Sequence, residues 1–273
     1  MESPLMSTET ANPPLSLQDQ VIIITGGNGG LGRAIAFKFA EAGARLVLAA
    51  TNRDTLEETR QELELVGTKV LTVPTDVRNS TDITQLVHVT REHFGQVDVL
   101  VNNAGISGPT KAVTDITLEE WNHTLDVNLT GAFLASQAVL PLMIAQGYGN
   151  IINISSIFGK RGYPYRSAYA ASKWALIGFT QTLALEVGKH NVRVNAICPG
   201  PLKGDRIERV WKERARVRNI PWRAIEDKMV RMAALRRIPE LEEAASVALF
   251  LASQQSSAMT GQALNVSAGT EMR

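Results

Sequence analysis

Short runs of consecutive apolar residues alternate along this chain with longer stretches in which apolar residues recur at helical spacing. Residues 20–25 (QVIIIT) are apolar and β-branched after the first position, the pattern of a strand buried on both faces. They lead through GGNGGLG into RAIAFKFAEAG, whose spacing predicts a helix stopped by Gly43. The same rhythm predicts further strands at 45–50, 69–73, 97–101, 150–154, 192–197 and near 262–266. Between them it predicts helices at 53–66 and near 80–94, 117–145, 165–187 and 240–252. Strands that alternate with helices imply right-handed crossovers and a parallel sheet covered on both faces. The expected fold class is therefore α/β: a single doubly wound parallel sheet of seven strands, with helices on both faces, over residues 17–273. No internal repeat or linker divides it. Residues 200–239 break the rhythm and read as an insertion before the final helix. Residues 1–16 are aperiodic and rich in Pro, Ser and Thr, which predicts a disordered arm or an alternative start.

Composition narrows the function classes. Apolar residues make up 44% of the 273 and charged residues 20%, and 28 basic against 27 acidic side chains leave a net charge of +1. That balance gives no general attraction to nucleic acid or to a membrane surface. No signal-peptide pattern opens the chain, and no unbroken apolar run approaches the roughly 20 residues of a membrane span. Cys198, the one cysteine, excludes an intramolecular disulfide and a thiolate zinc cluster, and it fits a cytoplasmic protein. His88, His93, His123 and His190 match no metal-ligand spacing, so no metal is expected.

The glycine-rich turn carries the first chemistry. Thr25, Gly26, Gly30 and Gly32 spell TGxxxGxG, and Gly27, Gly29 and Gly32 spell GxGxxG, with Asn28 and Leu31 inside the same turn. A turn from first strand to opening helix offers backbone N–H groups to a dinucleotide pyrophosphate. The plainer alternative is a merely tight turn. At the end of the second strand stand Ala49, Ala50, Thr51 and Asn52, and the first acid, Asp54, follows Arg53. An acid there would hold the ribose 2′-hydroxyl of NAD. Its absence, with Thr51, Asn52 and Arg53 as partners for a 2′-phosphate, favours NADP. NAD is the alternative, with Arg53 then a solvated residue of the first helical turn.

Tyr169 and Lys173 lie at i and i+4 in AYAASKWALIGF and share one helix face. A phenol exchanges protons poorly at neutral pH, with a reference pKa of about 10. A neighbouring ammonium favours the phenolate and makes exchange with an alcohol or ketone feasible. A packed tyrosine with a snorkelling lysine would give the same spacing. The other polar signals lie in or near segments that follow predicted strands: Asn102, Asn103, Ala104 and Gly105; Ser155 and Ser156; Pro199 and Gly200. Asn128 falls on a helix. In an open parallel sheet the carboxyl ends of the strands line the ligand crevice.

With these five ordered motifs the chain resembles the short-chain dehydrogenase/reductase family over about residues 18–270. The resemblance implies a Rossmann-type fold and metal-free hydride transfer at nicotinamide C4. It implies a catalytic tetrad of Asn128, Ser156, Tyr169 and Lys173. Tyr169 would be the acid/base, and Ser156 would hydrogen-bond the substrate oxygen. Lys173 would hold the nicotinamide ribose and favour the tyrosinate, and Asn128 would position a water that relays protons to Lys173. Asp76 and Val77 match the family's adenine contacts, and residues 102–105 the segment that lines the cofactor. Four positions depart from the pattern. Gly29 and Thr51 replace basic residues common in NADP enzymes. Gly204 stands where a threonine often holds the carboxamide. Ser267, Ala268 and Gly269 replace the usual DGG.

Residues 203–237 hold twelve basic and five acidic side chains, a local charge of +7 against −6 for the rest. Two helices are expected there, near 205–217 and 221–234, resembling the family's substrate-covering insertion, with Trp211, Trp222 and Met229 packing them. Three readings of the charge stand open: solvated faces or pairs with another subunit, attraction of an anionic substrate, or contact with cofactor phosphates. Lys160, Arg161 and Arg166 add to the same side.

Two function classes follow. One is an NAD(P)-dependent alcohol dehydrogenase or carbonyl reductase acting on a small alcohol or ketone of the sugar, polyol, cyclic ketone or 3-oxoacyl type. The other is a non-catalytic nucleotide sensor or scaffold on the same fold, which would need neither Tyr169 nor Ser156. Residues 168–185 are apolar nearly all round, so that helix needs cover on two sides. Together with Phe133, Leu134, Ala138 and Leu142 it predicts a homotetramer, with a dimer as the alternative.

Overall fold

A computed structural model describes residues 15–273, and all but the last two residues of the expected arm lie outside them. Seven parallel strands form one sheet: β1 (Val21–Thr25), β2 (Arg45–Ala50), β3 (Val70–Pro74), β4 (Val99–Asn102), β5 (Gly149–Ile154), β6 (Val192–Pro199) and β7 (Ala263–Val266). Their order is β3-β2-β1-β4-β5-β6-β7. The helices are α1 (Gly30–Glu41), α2 (Arg53–Leu65), α3 (Ser80–Phe94), α4 (Leu118–Leu125), α5 (Gly131–Gln146), α6 (Ser167–Val187), α7 (Asp205–Arg218), α8 (Trp222–Met232) and α9 (Leu241–Ala252). The order in which strands are added reverses between β1 and β4, and this switch point opens a crevice at the carboxyl ends of the strands.

The continuous apolar strands are explained by cover on both sides. Ile22 and Ile24 of β1 join Ile35 and Phe39 of α1 and Ala245, Ala248 and Leu249 of α9 in one core. The alternate residues Val21 and Ile23 join Ile83 and Leu86 of α3, Val139 and Met143 of α5 and Leu183 of α6 in the other. Successive strand side chains point to opposite faces, so one apolar run feeds two cores.

The helix expected at 117–145 is continuous but not uniform. A π-helical turn, Asp126–Thr130, joins α4 to α5 and carries Asn128 into the interior. The combined run Leu118–Gln146 is long and apolar enough to cross a bilayer by length and composition. In this fold Ala132, Ala135, Ser136, Val139 and Met143 are buried at intervals of one to four residues, and α5 lies on β4 and β5. The insertion folds as α7 and α8 around its own core of Trp211, Ala215, Ile225, Met229 and Ile238, with Trp222 packed at its edge.

Candidate active site

The crevice is built by latching the first turn to the fourth strand. Thr25 Oγ1 donates to the Val101 carbonyl at 3.3 Å and accepts from the Asn103 and Ala104 amides at 3.1 Å each. Asn103 Nδ2 donates to the carbonyls of Thr25 and Gly26 at 2.9 and 3.0 Å. Under this latch a Cβ on Gly32 would lie 2.1 Å from the Gly26 carbonyl oxygen, so only glycine lets α1 enter so close to β1. Gly29 and Gly30 are different, because nothing lies within 4 Å of a Cβ built on either. Helix α1 also starts without a side-chain cap, whereas Asn52 caps α2 and Asn79 caps α3. Open space above uncapped helix amides is what a pyrophosphate requires, so these residues fit a nicotinamide dinucleotide.

The turn leads into a cleft of about 810 Å³. Gly26, Asn28, Gly30, Leu31, Asn103, Ala104, Gly105, Ser156, Tyr169, Lys173, Pro199 and Gly200 all line it. Helix α6 presents Tyr169 and Lys173 one turn apart, with Lys173 Nζ 5.9 Å from the Tyr169 ring centroid. Lys173 is only 4% exposed and donates to the Ile154 carbonyl at 2.7 Å. Burial, helped by Arg206, pushes its pKa down to about 7. Ser156 Oγ accepts from the Phe158 amide at 3.2 Å and reaches the Pro199 carbonyl at 3.5 Å. That second contact is long enough to be exchanged for a substrate oxygen. Asn128 stands behind the lining. It brackets Ile106, accepting from its amide at 2.8 Å and donating to its carbonyl at 3.0 Å, and it donates to Ser172 Oγ at 3.1 Å.

The family model for short chain dehydrogenase matches residues 20–215. This chain belongs to the short-chain dehydrogenase/reductase family. It is 36% identical over 255 residues to a 3-oxoacyl-(acyl-carrier-protein) reductase of Thermotoga maritima, covering 93% of this chain and 99% of that one. Among solved structures it superposes on NAD+-bound xylitol dehydrogenase with a TM-score of 0.90 at 33% identity, covering 92% of this chain and 99% of the other. It superposes on a variant of actinorhodin polyketide ketoreductase with NADPH at 0.88 and 33%, covering 92% and 97%. This short-chain dehydrogenase is thus an oxidoreductase that uses a nicotinamide cofactor.

The remaining residues predicted for the cofactor lie beyond the cleft lining. Thr51, Asn52 and Arg53 are exposed where β2 gives way to α2, and Asn52 Oδ1 is taken by the Thr55 amide at 3.0 Å. Asn28 Nδ2 ties the glycine turn to this corner through Thr55 Oγ1 at 2.6 Å, a contact no motif announces. Past β3, both Asp76 carboxylate oxygens accept from its neighbour Arg78, which holds that carboxyl below its usual range. Val77 is buried, and its methyl lies 2.7 Å from a Cβ built on Gly131.

The roles of several positioning residues in this dehydrogenase could not be read from motifs. Ser155 Oγ donates to the Lys173 carbonyl at 2.9 Å, and Ser172 Oγ to the Tyr169 carbonyl at 2.8 Å. Arg166 and Arg214 are buried in the cleft wall. Of the family departures, Gly204 has φ of 133° at the start of α7, where a threonine would be strained. Ala268 sits at φ of 50°, in the left-handed region that glycine would occupy without cost.

Proposed function

We propose that this enzyme interconverts an alcohol and its ketone, with Tyr169 as the acid/base. The observation that carries the reading is the meeting of Tyr169, buried Lys173 and Ser156 with the open glycine turn in one cleft. When bound, the nicotinamide donates or accepts the hydride. Tyr169 gives the substrate oxygen its proton during reduction and takes it during oxidation, while Ser156 hydrogen-bonds the same oxygen. Lys173 favours the tyrosinate and holds the nicotinamide ribose. Its pKa of about 7 lets it pass a proton at neutral pH. Gly105 leaves the path beside it open, since a Cβ there would sit 3.1 Å from Asn128 Oδ1 and 3.5 Å from Lys173 Nζ. Asn128 would place the relay water at that end. Asp76 and Val77 flank the adenine.

Tyr169→Phe is expected to lower turnover by roughly 10²–10⁴-fold while cofactor affinity stays within a few-fold. A broad alcohol and ketone panel followed at the absorbance of reduced nicotinamide measures the first, and fluorescence titration the second. Turnover retained in Tyr169→Phe would remove the tyrosine mechanism. Tight cofactor binding with no turnover of any substrate by the wild type would make the protein a sensor. The same reading includes a preference for NADP, a homotetramer and a cytoplasmic location. The first rests on Thr51 and Arg53 exposed at the end of β2, where no acid precedes Asp54 in the first turn of α2. The second rests on exposed aromatic surface of α5 and α6, and the third on the unpaired Cys198.

A further inference from the structure

Two arginines sit inside the substrate half of the cleft without an anion. Arg166 precedes α6, three residues before Tyr169, and Arg214 belongs to α7 of the insertion. They are 3% and 5% exposed. Arg166 makes one hydrogen bond, from Nη1 to Thr110 Oγ1 at 3.3 Å, and its guanidinium lies 4.8 Å from the Tyr169 ring centroid. Arg214 lies 4.0 Å from the Tyr163 ring centroid and donates to its hydroxyl. The Nε of each is buried without a partner. The ion pairs of the insertion run elsewhere, from Lys203 to Glu240, Lys212 to Glu208 and Arg237 to Glu243. A guanidinium offers five donors and keeps its charge, so burial without a counter-ion is costly. Burial pushes both guanidinium groups down, and Arg206 and Arg214 push Arg166 the same way. Tyr169 and Glu213, whose carboxylate accepts from Thr110, pull Arg166 back only in part. Arg206 and Arg209 line the same cleft against one acid, Asp205.

The position of these cations separates them from the cofactor. Both cations approach the Tyr169 ring, Arg166 at 4.8 Å and Lys173 at 5.9 Å from its centroid, but their other contacts differ. Lys173 faces the Ile154 carbonyl and Gly105, beside the latched cofactor segment. Arg166 faces Thr110 and the charges of the insertion, Arg206, Glu213 and Arg214. Beside Arg214, Tyr163 stacks on Phe158 at 4.0 Å and 16°, which gives an apolar floor next to the charge.

We propose that Arg166 and Arg214 form a carboxylate subsite, so that the substrate is a hydroxy acid or its keto acid, held by its carboxylate while its carbonyl meets Tyr169 and Ser156. One carboxylate offers four lone-pair sites and satisfies donors from both guanidinium groups. Because Arg214 rides on α7, the bound anion ties the insertion to the body of the enzyme. The reacting end of this assignment rests on the alcohol–ketone reading above, but anion binding does not.

The test uses pyruvate, acetoacetate, levulinate and 2-oxooctanoate against their methyl esters. Two readouts are taken: kcat/KM with reduced cofactor, and calorimetric binding to the enzyme saturated with oxidised cofactor. At least one acid is expected to exceed its ester tenfold or more in both. Arg166→Gln and Arg214→Gln should each lower that acid-to-ester ratio about tenfold, mainly through KM, and Arg214→Lys should restore part of it. Thermal melts report whether each variant folds, and Arg214→Gln, on the insertion, carries the test if Arg166→Gln does not. Esters equal to acids throughout the panel, or variants that weaken acid and ester alike, would overturn the subsite. Dihydroxyacetone phosphate bound more tightly than every acid would overturn the carboxylate in favour of a phosphate. Acid binding that Arg214→Gln abolishes, with no turnover of any ketone, would support the subsite and overturn the alcohol–ketone reading instead.

Discussion

Lys173 carries its amine in full burial, and that sets a pH window for stability. In the folded enzyme its pKa is about 7, whereas an unfolded lysine titrates near 10.5. Between these values the unfolded chain binds a proton that the folded chain does not. Stability contributed through this group therefore rises with pH across the window, and the penalty is fully present below about pH 7. In the absence of cofactor, the melting temperature of the wild type should gain on that of Lys173→Met as pH is raised from 6.5 to 9.5. A difference that stays flat would show that Lys173 is not strongly desolvated. Arg53 poses the other residue-scale question. It is exposed at the first position of α2, free of any ion pair among the described residues. Exposed single contacts are worth about 1 kcal/mol, so NADP should be preferred by less than about a hundredfold. Arg53→Ala should cost kcat/KM for NADP more than for NAD, and an equal loss would remove Arg53 from the phosphate site.

The turn between β1 and α1 shows how one element divides its glycines between fold and ligand. Gly32 is held by the protein, since its Cβ would meet a backbone oxygen that cannot move aside. Gly32→Ala is expected to destabilise the enzyme by about 1–3 kcal/mol and to weaken cofactor binding with it. Gly29 has extended backbone, φ −171° and ψ 164°, which any residue adopts, and no neighbour within 4 Å. Gly29→Ala should therefore leave the melting temperature nearly unchanged yet weaken cofactor binding severalfold. Denaturant titration and fluorescence of bound NAD(P)H separate the two. Equal effects of both substitutions on stability would show that the open space is not kept for a ligand. The π-helical turn before α5 is the corresponding device for Asn128, turning it to face both Ile106 and Ser172.

At the scale of the molecule, α5 and α6 leave apolar surface uncovered. Trp174 is 52% exposed and Leu185 87%, and Phe133, 43% exposed, contacts Phe179 edge to face at 6.2 Å. The opposite side of α6 is sealed by Leu176, Thr180, Leu183 and Val187. A patch of this kind on a helix otherwise built into the core marks an association surface. Light scattering at micromolar concentration should give a mass near four times the 29.7 kDa chain. Trp174→Glu should shift that mass downwards. A wild-type monomer would rule out the tetramer.

Sequence alone located all seven strands along the chain, because a parallel sheet buried on both faces demands short, mostly apolar runs, whereas their order in the sheet came from the tertiary structure. It also placed Tyr169 and Lys173 on one helix face, since i and i+4 are neighbours by helical geometry. The sequence placed Arg166 and Arg214 among many basic residues around the insertion but did not separate them from a solvated surface. Whether a charge is hydrated or desolvated depends on what packs over it. Here the folded insertion and the Tyr169 ring bury these two arginines, and no carboxylate comes within ion-pair distance of either among the described residues, Glu213 being engaged by Thr110. Likewise, the two glycine patterns of the turn could not say which glycine serves the fold. That depended on the Gly26 carbonyl, brought over Gly32 by the approach of α1 to β1.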